Sequence, residues 1–254
     1  MIFRKTLRDE IVKSLVLLAV VTFALTLAIL YYPTFAQNRG PIAKLIPVFV
    51  KGMVADVLRD EYVGYFVFQH YVKGLVFLSA AAAVFIGMGA VSKEVETGTI
   101  SVLLAKPVGR TRVLIEKCAA LAIAVSIPVV GSSLLGIPLS LAIGERVAVV
   151  PTLAASVHAS LSALALLSVT ILSSVLFDEQ VKAGGYAGVV MLGEMVLFLV
   201  DDTRRYSFFN LASYGSYRRI FVDGSYPFGE SAILALIAAF GLFLALVAFR
   251  RKDL

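Results

Sequence analysis

Apolar residues in this chain come in runs too long for a soluble core, and the polar residues gather in the gaps between them. Runs near 14–32, 72–91, 114–143, 153–176, 183–200 and 230–249 are each long enough to cross a bilayer, since a helix rising about 1.5 Å per residue needs roughly 18 or more apolar residues. The pattern predicts an all-α, polytopic membrane protein with about six spans, forming one transmembrane domain over residues 1–254.

The gaps carry their own patterns. Near the start, Phe3, Leu7, Ile11 and Leu15 recur every four positions among Arg4, Lys5, Arg8 and Lys13. That spacing suits a short amphipathic helix lying on the membrane surface and turning inward, or a charged helix end in water. Pro33 and the Asn38–Pro41 cluster are expected to break the first helix. Between them and the second span, Ile42, Leu45, Ile46, Phe49, Met53, Val54 and Val57 follow one helical face, against Pro47 and Gly52. This predicts an external amphipathic helix, on lipid or packed on the protein.

Within the spans, Ala80–Ala83, Gly87 and Gly89 mark the second as a buried helix, because small residues allow close approach. Pro128 and Pro138 are expected to kink the third. The fourth holds His158 and many serines, which can bond backbone carbonyls or neighbouring helices without lining a pathway. The fifth carries the close-packing spacing Gly184-xxx-Gly188. Tyr62, Tyr65 and Tyr71, and the Tyr-, Phe- and Arg-rich segment 201–229, suit an aromatic belt at headgroup level.

Composition agrees with a membrane protein: 59% of the 254 residues are apolar and 16% charged, with a mean hydropathy of +0.91. The net charge of +6 does not indicate nucleic acid, because no basic stripe with interleaved aromatics lies outside the apolar runs. Most of the 23 basic residues fall on the side that holds both termini and the gap after the second span. The positive-inside rule therefore puts both termini and that gap in the cytoplasm. Cys118 is the single cysteine, so no intrachain disulfide exists. The first run is too long for a signal-peptide core and reads as an uncleaved span.

The gap from Ser92 to Lys117, SKEVETGTISVLLAKPVGRTRVLIEK, has the most structured polar pattern. Glu94 and Glu96 precede Thr97, Gly98 and Thr99. Either threonine can cap a helix start, with acids favoured by the helix dipole, and Gly98 permits the turn. Ile100, Leu103 and Leu104 then share one face of a short helix ended by Pro107, after which Arg110 and Arg112 lead back to the membrane. An apolar face presented to the cytoplasm needs something to dock on.

This stretch resembles the permease subunits of type-two ABC transporters, the exporter class that includes permeases related to the nitrous-oxide-reductase maturation system. The likeness is carried by Glu94, Glu96, Gly98, Thr99, Leu103, Leu104, Pro107, Arg110 and Lys117 in order, and more weakly by the basic N-terminus, the six spans and the Arg250–Asp253 end. The long first external segment departs from it. The resemblance implies a coupling helix formed by Glu94, Glu96, Thr97, Gly98, Thr99, Ile100, Leu103, Leu104, Pro107 and Arg110, docked on a separate ATP-binding cassette subunit. It further implies a plasma-membrane permease working as a homodimer or with a homologous permease among membrane lipids. No G-x-x-x-x-G-K-[ST] motif is present, so the chain is expected to bind no cofactor and to leave ATP and Mg to its partner.

Two single residues offer other chemistry. Glu194 and His158 lie inside spans, where ionisable groups are costly and are functional or paired. They are candidate pathway residues, or an acid–base pair of an intramembrane enzyme, or helix-packing residues; a non-transporting scaffold is the third class. With His70 the only other histidine, no metal site is expected.

Overall fold

The computed structural model describes residues 2–38, 59–101, 109–200 and 202–252. These form helices and turns with no strand: α1 Ile2–Gln37, α2 Glu61–Phe66, a π-helix Val67–Leu75, α3 Val76–Gly87, α4 Ser92–Glu96, α5 Arg110–Ala142, α6 Val149–Leu176, α7 Gln180–Leu199, two short 3-10 turns Arg204–Tyr206 and Phe208–Ala212, α8 Tyr214–Phe221 and α9 Phe228–Arg251. Among the described residues six helical stretches are long and apolar enough to span a membrane, the second being Glu61–Glu96. The expected external helix at 42–60 lies almost wholly outside the described residues.

Burial orders the bundle. The most apolar window of α6 is 72% buried and that of the second stretch 61%, against 22% for α1, α7 and α9. The serine-rich and alanine-rich helices therefore form the centre, as their small side chains allow. A Cβ placed on Gly87 would meet Leu167 Cδ1 and Thr170 Cγ2 at 2.9 Å, so α3 and α6 touch where glycine stands. Ser156, Ser168 and Ser173 of α6 return a hydrogen bond to the backbone, Ser156 to Leu153 O at 2.8 Å and Ser168 to Ala165 O at 2.7 Å. The Gly184-xxx-Gly188 expectation holds by half: a Cβ at Gly184 would press on Met88, whereas Gly188 faces open space.

The first helix corrects two expectations. It runs unbroken for 36 residues, about 54 Å at 1.5 Å per residue, so the amphipathic start and the span are one helix. Pro33 does not end it: proline removes a single donor, and the loss falls in the last turns where the chain is about to stop. The stop comes at Asn38, whose Nδ2 donates to Thr34 O at 2.9 Å. In α5, Pro128 has no N–H to give to Ala124 O, and Ser14 of α1 fills the vacancy through its Oγ at 2.7 Å. That repair serves the Pro128 turn, and α5 continues through Pro138 to Ala142 as one helix.

The aromatic belt is also revised. Tyr62, Tyr65 and Tyr71 are buried inside the bundle, where their hydroxyls donate to Ser140 Oγ at 2.6 Å, Ala28 O at 2.7 Å and Thr152 O at 3.1 Å. A phenol can go inside once its hydroxyl has a partner. The segment after α7 folds over the bundle end, burying Phe209, Tyr214 and Tyr217 and leaving Tyr206 and Phe228 exposed. Arg218 Nε donates to Asp60 Oδ2 at 2.8 Å, and Arg219 pairs with Glu230. The Asp60 carboxylate raises the Arg218 guanidinium further above its ordinary range, so this cation is fixed.

A candidate coupling site at the termini end

Both chain ends and the Ser92–Lys117 stretch meet at the same end of the bundle. Phe3 N donates to Glu116 Oε2 at 3.2 Å, and Arg110 Nη1 donates to Lys252 O at 2.7 Å. Lys252 Nζ in turn reaches Val175 O at 2.7 Å and Asp178 Oδ1 at 2.7 Å. The placement obeys the electrostatics of helix ends. A carboxylate sits at the start of α1 and a cation at the last turn of α6, matching the unsatisfied N–H and C=O groups there.

The candidate stretch is built on this frame. After α3 the chain turns, and Ser174 of α6 accepts Val91 N and Ser92 N at 2.9 and 3.0 Å. Ser92 Oγ donates to Met88 O at 2.6 Å. These bonds fix where α4 begins. Glu94, in its first turn, pairs with Lys117 of α5, whose residue is 5% exposed and whose Nζ also donates to Ala90 O at 2.7 Å. Glu96 Oε2 accepts Gln180 N at 2.9 Å and so caps the start of α7.

Thr97 caps the end of α4 rather than the start of a helix: its Oγ1 donates to Lys93 O at 2.7 Å and lies 2.9 Å from Thr99 Oγ1. Gly98 carries the turn at φ +68°, with open space around it. A side chain there would be strained by its own backbone, which glycine avoids. Ile100 is buried and begins the next helical turn with Ser101. Leu103, Leu104 and Pro107 lie outside the described residues. A cavity of about 320 Å³, lined among others by Lys5, Asp9, Lys93, Glu94, Thr97 and Lys117, opens beside the Glu94–Lys117 pair.

The structure does not bring Glu194 and His158 together as a pair. Glu194 Oε2 accepts Phe208 N at 3.0 Å, and its carbonyl accepts Ser207 Oγ at 3.1 Å. His158 Nε2 lies 3.0 Å from Leu211 O and Nδ1 lies 2.8 Å from Ser231 Oγ. A carbonyl only accepts, so Nε2 carries a proton. Both residues hold the turn Phe208–Ala212, one at each end. His70 is engaged with Ser133 Oγ at 3.0 Å. Among the described residues no three His, Cys, Asp or Glu side chains are grouped to hold a metal.

Sequence reasoning missed Ser174, Glu116 and the Gln180 N–H. Ser174 is one of many serines, and a backbone N–H leaves no mark in a sequence. Glu116 had a signal in its proximity to Arg112, which it pairs at 3.0 Å.

The described residues thus form a six-span helical bundle fastened at one end to a compact polar turn. The whole chain, residues 1–254, matches the ABC-2 family of transporter proteins, and it belongs to that family. Such chains are transport components rather than catalysts, and the family pairs with an ATP-binding cassette subunit. No curated protein matches the chain.

Proposed function

We propose that the chain is the permease subunit of an ATP-driven exporter, with both termini in the cytoplasm of a plasma-membrane protein and the Ser92–Lys117 stretch as its coupling element. Residues 1–254 act as one transmembrane domain, used as a homodimer or beside a homologous permease. ATP and Mg are bound by the partner subunit. The closer likeness to nitrous-oxide-reductase maturation permeases rests on the motif in this stretch.

The observation that carries the reading is the fastening of α4. Glu94 ties it to α5 through Lys117, Glu96 ties it to α7 through Gln180, and Ser92 ties it to α6 through Ser174. A push on the stretch is thereby delivered to four spans, counting the one it continues. This supports a division of labour within the motif. Ile100, Leu103, Leu104 and Pro107 shape the docked surface, Thr97, Gly98 and Thr99 form the turn behind it, and Glu94, Glu96 and Arg110 pass displacement into the bundle.

The test is co-purification with an ATP-binding cassette subunit co-expressed with this chain, followed by its ATPase rate. Leu103→Asp is expected to abolish co-purification. Glu96→Ala is expected to retain it while lowering permease-stimulated ATPase several-fold, since its bond is internal. Full association and stimulation in Leu103→Asp would overturn the reading.

A further inference from the structure

Away from the coupling element, a cavity of about 480 Å³ lies between α1 and the π-helix. Its volume falls within the range of small-ligand sites. The walls are mixed. Leu25 and Ala24 of α1 and Phe77 and Leu78 of α3 are apolar, while Tyr31, Gln69 and Lys73 are polar. The π-helix sets this arrangement: its wider turn stacks Gln69 and Lys73 on the face towards α1, and such turns recur at functional sites.

Lys73 is the group that needs an explanation. Ser133, which bonds His70 of the same π-helix, lies about 14 Å along α5 from its far end, so the lysine, at the edge of the second apolar run, stands level with the apolar interior of α5. A cation at such a position is normally paired. Lys73 has no carboxylate partner among the described residues, and the neighbouring His70 is committed to Ser133. An exposed ammonium over an apolar-walled cavity is complementary to a molecule with one anionic head and an alkyl chain.

We propose that this cavity binds an anionic amphiphile, its carboxylate or phosphate head on Lys73 and Gln69 and its chain along Leu25, Phe77 and Leu78. The site is independent of the transport reading, because binding needs neither ATP nor the partner subunit. Two sources share this chemistry: the headgroup of a bilayer lipid and a free fatty acid.

The test is native mass spectrometry of the full chain in neutral detergent, titrated in turn with phosphatidylglycerol, phosphatidylcholine and oleate. At least one anionic probe is expected to be retained about tenfold more tightly than phosphatidylcholine, the scale of one charge-assisted hydrogen bond. The preference should vanish in Lys73→Gln and survive in Lys73→Arg. Retention of phosphatidylglycerol identifies a lipid headgroup as the source, and retention of oleate alone identifies a free amphiphile. Ala24→Phe, which fills the cavity from an exposed position, should release the anionic probe even if Lys73→Gln fails to fold. Equal retention of all three by the unaltered chain, or an undiminished preference in Lys73→Gln or in Ala24→Phe, overturns the proposal.

Discussion

At the scale of single residues, the polar groups inside this bundle are fasteners. Lys117 was legible as the end of a motif, but its work was not. It lies buried between Glu94 and Ala90 O, joining the turn after α3 to α5. Removing one member of such a pair strands the other, whereas removing both leaves neither charge uncompensated. Lys117→Met is therefore expected to cost about 3 kcal/mol by thermal unfolding in detergent, with the double variant Glu94→Gln, Lys117→Met recovering part of the loss. A double variant no better than the single would refute the pairing as the cause. Ser14 teaches the same lesson from the other side. As the first residue of an apolar run it looked like a boundary, yet it supplies the hydrogen bond that Pro128 cannot make. Only proximity in three dimensions connects a hydroxyl to a carbonyl more than a hundred positions away.

At the scale of elements, the apolar runs located the last four spans closely but began the first two well inside helices that start at Ile2 and Glu61, and composition identified the second as a buried one. What it could not rank were the glycines. Gly87 and Gly188 look alike in the sequence, but the first is pressed against α6 and the second faces open space. Gly87→Leu is expected to destabilise the bundle by about 1–3 kcal/mol through overpacking, and Gly188→Leu to change it by less than about 0.5 kcal/mol. Matched denaturation of the two variants checks this, and equal losses would mean that contact is not what separates them. The aromatic residues were misplaced for a related reason. Amphipathic rings suit a membrane interface and a buried pocket with a hydroxyl partner equally well, and the partners Ser140, Ala28 and Thr152 are distant in the sequence.

At the scale of the molecule, the two ends differ in construction. One end gathers Phe3, Glu94, Arg110, Lys117 and Lys252, and the other is closed by the segment from Arg204 to Ser225 under the Asp60–Arg218 bond. The orientation proposed from the basic residues gives these ends opposite accessibility. With Cys118 buried as the one native thiol, a membrane-impermeant maleimide is expected to label Ser225→Cys in intact cells and Ser101→Cys only after permeabilisation. The reverse order would invert the topology and with it the coupling role of the Ser92–Lys117 stretch.

The sequence by itself determined the solvent this chain folds in, the number and approximate bounds of its spans, and the polar stretch where a partner is expected, because hydrophobic run length and local turn chemistry are properties of neighbouring residues. Tertiary structure alone decided what the polar residues are for. It turned Glu94 and Glu96 into ties to α5 and α7, and it spent Glu194 and His158 on one turn, Phe208–Ala212, rather than on each other. It also left Lys73 without a carboxylate partner among the described residues, over a cavity. Most buried polar groups find a partner, and which partner each finds depends on helix packing rather than on sequence distance.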